Sequence, residues 1–113
     1  MKPVLLFVGL LLLLASPASA TSSPPTPTGF TARATHDGCG GNRLAWNPVG
    51  AGVIGYEVFL NGRRVAFTPL SNKYFSTAAG TNTWMVRSVD AAHNTSPFSN
   101  PVTITIAPYN SIC

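Results

Sequence analysis

The strongest constraint on the fold is a series of short runs that alternate with period two, broken by Gly, Pro and Asn at roughly ten-residue intervals. Phe30–Thr35 alternates weakly and ends at the glycine-rich turn His36-Asp-Gly-Cys-Gly-Gly-Asn42. Arg43–Trp46 places Leu44 and Trp46 on one face before Asn47-Pro48 stops it. In Ile54–Leu60 the residues Ile54, Tyr56, Val58 and Leu60 share one side, predicted to face inward. Asn61-Gly62 follows at once, a strong short-range hairpin signal, and Arg64–Thr68 returns. Lys73–Thr77 is a short candidate strand. Thr83–Val89 is longer, with Trp84, Val86 and Ser88 in phase, and Val102–Ile106 alternates almost perfectly. No segment sustains a helical period. The pattern predicts an all-β chain, a seven-stranded antiparallel β-sandwich.

The ends of the 113-residue sequence read differently. Met1-Lys2-Pro3 is a short basic start, Val4–Ala15 is apolar, and Ala18-Ser19-Ala20 supplies small residues for cleavage. Residues 1–20 are therefore expected to be a secretory signal peptide, and the protein to be exported. The apolar run is too short to cross a bilayer comfortably and no second one follows, so no membrane span is expected. Residues 21–28, rich in Pro, Ser and Thr, are expected to form an extended, solvated arm. A domain over residues 29–107 and a tail over 108–113 complete the chain. That size excludes a two-domain enzyme, a dinucleotide-binding fold and a TIM barrel.

Composition narrows the chemistry. The carboxylates are only three, Asp37, Glu57 and Asp90, which is little for acid–base machinery. The basic residues beyond the leader, Arg33, Arg43, Arg63, Arg64, Lys73 and Arg87, are scattered, with only Arg63-Arg64 adjacent. That is not the basic stripe a nucleic-acid partner requires. The two cysteines, Cys39 and Cys113, leave open one disulfide or two free or intermolecular thiols, with export favouring the former. Their count and spacing exclude a C-x-x-C redox pair and a zinc site.

With these residues in order, the chain resembles the fibronectin type III domain over about Pro24–Ile106. Pro24-Pro25-x-Pro27 precedes the first strand, and Trp46-Asn47-Pro48 looks like the core tryptophan closing the second. Gly55-Tyr56-Glu57-Val58-Phe59 resembles the third strand. Val89-Asp90-Ala91-Ala92-His93-Asn94-Thr95-Ser96, with Pro97 and Ser99, resembles the loop between the sixth and seventh strands. That loop is similar to the version common in secreted bacterial polysaccharide-degrading enzymes. The resemblance implies an immunoglobulin-like sandwich. It also implies two departures: Asn82 stands where the family usually carries the tyrosine of its corner, and Ala78-Ala79-Gly80 replaces the leucine-and-proline signature before it. That corner is expected to be looser or differently pinned. In the family's topology the first turn and the end of the last strand share a pole, which makes a Cys39–Cys113 disulfide reachable. Such a bridge would contribute about 4 kcal/mol by restricting the unfolded chain.

No catalytic set emerges. The two histidines, His36 and His93, fall at opposite poles of this topology, so no triad or metal site assembles around either. Glu57 and Asp90 lie on neighbouring strands, but a small sandwich offers no cleft between them for a glycosidase pair. No catalytic residue, cofactor or metal is expected. Trp46, Tyr56 and Trp84 could form a sugar-stacking platform, but their inward phase assigns them to the core. Outward residues of the same sheet are Glu57, Phe59, Met85, Arg87, Thr103 and Thr105. The group Glu57, Phe59, Met85 and Arg87 reads as a contact face for a partner, or as an ordinary exposed sheet with a Glu57–Arg87 pair. Asn94-Thr95-Ser96 is a glycosylation sequon in a eukaryotic host. Asn61-Gly62-Arg63 resembles an adhesion tripeptide superficially, but a two-residue hairpin turn explains Asn-Gly fully. The expected function is a secreted, non-catalytic module for protein binding or spacing at an extracellular surface. The partner is an unknown extracellular protein or a polysaccharide, and the alternative role is an accessory module of a polysaccharide-degrading system.

Overall fold

Alternation and turn chemistry together produce seven strands in the described residues of the computed structural model, which are 22–110 and Cys113. The signal-peptide reading of residues 1–20 lies outside them. In chain order the strands are β1 (Thr31–Ala34), β2 (Gly41–Ala45), β3 (Val53–Leu60), β4 (Arg63–Thr68), β5 (Asn72–Ser76), β6 (Gly80–Asp90) and β7 (Val102–Ile106). They form a three-stranded sheet, β1-β2-β5, and a four-stranded sheet, β4-β3-β6-β7. Every pairing is antiparallel. This is the seven-stranded antiparallel sandwich that the alternation predicts, with the immunoglobulin-like arrangement that the resemblance implies.

The β3–β4 hairpin shows how locally the fold is specified. Leu60 pairs with Arg63, leaving Asn61 and Gly62 as a two-residue turn with φ of 50° and 87°. Positive φ at both positions matches the twist of the flanking strands, and Asn-Gly tolerates it best. Asn61 Oδ1 also accepts the Thr83 amide at 2.9 Å, fastening the turn to β6.

Between the sheets lie Ala32, Leu44, Trp46, Tyr56, Val58, Trp84 and Val86, all buried. Trp84 stacks on Phe75 at 4.8 Å, and Trp46 meets Tyr56 edge-on at 5.3 Å. Each fully buried large apolar side chain contributes about 1.5–3 kcal/mol relative to exposure. Tyr56 works twice: its ring fills the core while its hydroxyl accepts the Val49 amide at 2.8 Å, holding the β2–β3 connection.

Two expectations are corrected. Ile54 does not join Tyr56, Val58 and Leu60 on the inner side; it is 46% exposed. The β3–β6 register shifts between Val53 and Gly55, so one extra residue reverses the phase at the strand entrance. Val53 packs against the core in its place. The proline-rich arm is not solvated along its length either. Pro24 and Pro27 are buried, the Ser88 hydroxyl donates to the Pro25 carbonyl at 2.6 Å, and the Thr26 hydroxyl donates to the Pro97 carbonyl at 3.2 Å. Proline has no amide hydrogen to enter a ladder, but its ring can be buried and its carbonyl can accept.

The corner without a tyrosine is pinned by amides. Asn42, fully buried on β2, accepts at Oδ1 from Asn82 Nδ2 at 3.0 Å and from the Trp84 indole at 3.1 Å. Its own Nδ2 donates to the Gly40 carbonyl at 3.0 Å and to the Thr77 hydroxyl at 2.9 Å. Asn82 donates to that hydroxyl as well, at 2.8 Å. At the same pole Cys39 and Cys113 form a disulfide, with Cα atoms 5.2 Å apart and a sequence separation of 74. The tail is held beside it by the Asn110 amide on the Gly38 carbonyl at 3.0 Å.

Candidate interaction face

The outer side of the four-stranded sheet gathers a cluster of charged and aromatic side chains. β3 and β6 pair Glu57 directly with Arg87 and Phe59 directly with Met85. The alternation that sends Tyr56, Val58, Trp84 and Val86 inward leaves these four on the opposite side. Arg87 Nε donates to Glu57 Oε1 at 2.8 Å, and the other Glu57 oxygen lies 3.3 Å from Arg64 Nη1. One carboxylate thus holds two guanidinium groups on three neighbouring strands.

Arg87 is further packed against two rings. Its guanidinium carbon lies 5.0 Å from the Phe59 centroid and 4.8 Å from that of Phe98. The two rings meet edge-on at 4.8 Å. Phe98 comes from the β6–β7 connection, which returns along β6: the Ser99 amide donates to the Val86 carbonyl at 2.8 Å, and the Ser99 hydroxyl accepts the Val86 amide at 3.0 Å. Cation–π contacts of this kind contribute about 0.5–1 kcal/mol at exposed sites and fix the guanidinium plane. Phe59 and Met85 are half-buried, whereas Phe98 is 39% exposed. Beside this cluster Ile54, Phe67, Arg64 and His93 border an open hollow of about 370 Å³. Phe67 lies across Gly55, where a Cβ would run into its ring.

Sequence reasoning missed Phe98 and Phe67. Phe98 sits in a polar loop without periodicity, and only the flanking Pro97 and Ser99 hinted at an ordered segment. Phe67 alternates on β4 opposite Glu57, but its role depends on the bare Gly55 that its ring covers. Thr103 and Thr105 line the exposed side of β7, and the Thr103 hydroxyl lies 2.9 Å from that of Thr83.

The remaining candidates are dispersed or committed. Trp46 and Tyr56 are each 4% exposed and Trp84 is fully buried, so they present no platform for a sugar ring. His36 and His93 lie beyond opposite ends of β6. No group of three or more His, Cys, Asp or Glu side chains placed to hold a metal occurs among the described residues. Asp37 accepts the Cys39 amide at 2.9 Å and the Thr35 hydroxyl at 2.8 Å, and these bonds hold its carboxyl below the usual range. Burial pushes the Asp90 carboxyl up, but the Asn94 amide, the Asn94 side chain and the Ala92 amide together outweigh it, and its pKa is lowered. The Asn94 side-chain nitrogen, the atom that glycosylation would use, donates to Asp90 Oδ2 at 3.1 Å. No described helix is long and apolar enough to cross a membrane.

No model of a known protein family matches the chain, and no curated protein matches it in sequence. Its fold is shared with solved structures. The structure named FN3tt superposes with a TM-score of 0.65 at 20% identity, covering 75% of this chain and 96% of that one. The fibronectin type III domain of human fibronectin type III domain containing protein 3 gives 0.63 at 16% identity, covering 80% and 93%. A family 28 exopolygalacturonase from Yersinia enterocolitica gives 0.64 at 12% identity, but the match spans 74% of this chain and only 21% of the enzyme.

Proposed function

We propose that this chain, which has the fibronectin type III fold, is a secreted, non-catalytic module that binds a partner protein at an extracellular surface. The outer side of β3 and β6 is the contact face. The observation that carries the reading is the Arg87 guanidinium packed against both Phe59 and Phe98 and anchored by Glu57. Aromatic and arginine side chains dominate the energetics of protein interfaces. Here they are ordered before any partner arrives, so binding would not have to immobilise them. Ile54 and Phe67 extend the same side with exposed apolar surface. Export is supported by the leader-like sequence of residues 1–20 and by the Cys39–Cys113 bridge, which suits an oxidising compartment.

The test is affinity capture from the medium of the producing cells with immobilised oxidised protein. Wild type is expected to retain a partner that Phe59→Ala with Phe98→Ala loses, at unchanged fold by circular dichroism. Retention of no protein, or equal retention by the double variant, would refute the reading.

A further inference from the structure

Arg33 and Arg43 lie on consecutive strands, separated in sequence by a glycine-rich turn, and β1 and β2 pair them face to face. β5 places Tyr74 in the same row, opposite Arg43. All three are exposed on the outer side of the three-stranded sheet, away from the Phe59–Arg87–Phe98 cluster. The scattered basic residues of the sequence thus become a local concentration of positive charge once the strands pair.

Like charges directly opposite one another on a sheet are destabilising, and no salt bridge among the described residues neutralises this pair, with Asp37 acting on Arg43 only as the weakest of the influences that lower its own carboxyl. The salt bridges among the described residues both belong to Glu57, on the other sheet. Asp90 is occupied by its own loop. Asp37, the one carboxylate at the border, is engaged by Thr35 and Cys39. Arg43 lies with its guanidinium carbon 5.1 Å from the Tyr74 centroid, so its cation is oriented while its donors remain available.

Two shallow grooves share the arginine pair. One, of about 210 Å³, runs past Thr31, Lys73 and Tyr74; the other, of about 280 Å³, runs toward His36. We infer that this row is a binding site for an acidic polysaccharide, a sugar chain bearing carboxylates or sulfates. Arg33 and Arg43 would each take an acid group by charge-assisted hydrogen bonds. Thr31, Asn72 and Tyr74 supply neutral polar groups for the hydroxyls between those acids. An acidic peptide fits less well. Side-chain pockets are what give an extended peptide its specificity, and Tyr74 is the one large apolar side chain exposed in this row. The inference stands whether or not the opposite sheet engages a partner protein.

The experiment is affinity electrophoresis of the oxidised protein through gels containing polygalacturonate, dextran sulfate, neutral dextran or poly-glutamate. The two acidic glycans should retard the protein, dextran should not, and retardation should weaken as salt screens the charges. Arg33→Gln with Arg43→Gln should reduce affinity about tenfold or more, since each removed charge-assisted bond is a substantial loss. Tyr74→Ala should also weaken binding, whereas Arg63→Glu, the same net charge change on the other sheet, should not. Equal loss in that control would reassign the effect to net charge and overturn the site. Equal or stronger retardation by poly-glutamate would overturn the glycan assignment, and no retardation by either acidic glycan would overturn the inference outright.

Discussion

Asn42 takes two hydrogen bonds at one buried oxygen, from Asn82 and from the Trp84 indole, and its nitrogen donates to Gly40, Thr77 and, at longer range, Phe75. Deep in a core such a network stabilises only when every member is satisfied. Asn42→Ala therefore leaves the indole N–H and an Asn82 donor without their shared acceptor, and should cost about 1–3 kcal/mol. Urea unfolding checks this, and Asn42→Asp, which keeps an acceptor oxygen, is expected to behave differently from Ala at acid and neutral pH. Half of this device was legible in the sequence. Asn82 stood out because a tyrosine was expected there, but its acceptor lies on another strand 40 residues away, where no local pattern points to it. The same holds for Phe98, whose partners Phe59 and Arg87 are set by the path of a loop.

The β6–β7 connection begins with a turn organised by one carboxylate. Asp90 Oδ1 accepts the Ala92 amide at 3.0 Å and the Asn94 amide at 2.8 Å, and Oδ2 accepts the Asn94 side chain. His93, with φ of 69°, sits in the same turn. The Asp90 carboxyl is lowered on folding, so the order it confers is present above the ordinary carboxylate range and lost as pH falls through the depressed value. Amide shifts of Ala92 and Asn94 should follow that acid titration by NMR, and Asp90→Asn should abolish it. Strand identity and the hairpin were readable from period-two patterns and Asn-Gly. The inward reading of Ile54 failed because a bulge is an insertion in pairing, and a lone strand carries no record of its partner's register. The arm followed composition only in part, since its docking depends on Ser88 and Pro97, far along the chain.

At the scale of the whole molecule, one bridge joins the first turn to the C-terminus, and the Asn42 amides secure the same pole. Cys39→Ser with Cys113→Ser should lower stability by about 4 kcal/mol, the chain-entropy value for a loop of this length, read as a shifted denaturation midpoint. The outer sides of the two sheets differ in character: one carries an aromatic pair against Arg87, the other an arginine pair beside Tyr74. Alternation made the Glu57, Phe59 and Arg87 part of the first grouping legible in sequence, whereas Phe98 and the Arg33–Arg43–Tyr74 row depend on which strands and loop meet. The Phe59–Arg87–Phe98 cluster is the contact face proposed for a partner protein. Its most direct test is calorimetric titration of the captured partner against wild type and Arg87→Ala, with unfolding followed in parallel. An affinity loss of about tenfold or more at retained fold is predicted, the scale of an interfacial hot spot; an unchanged affinity would contradict it.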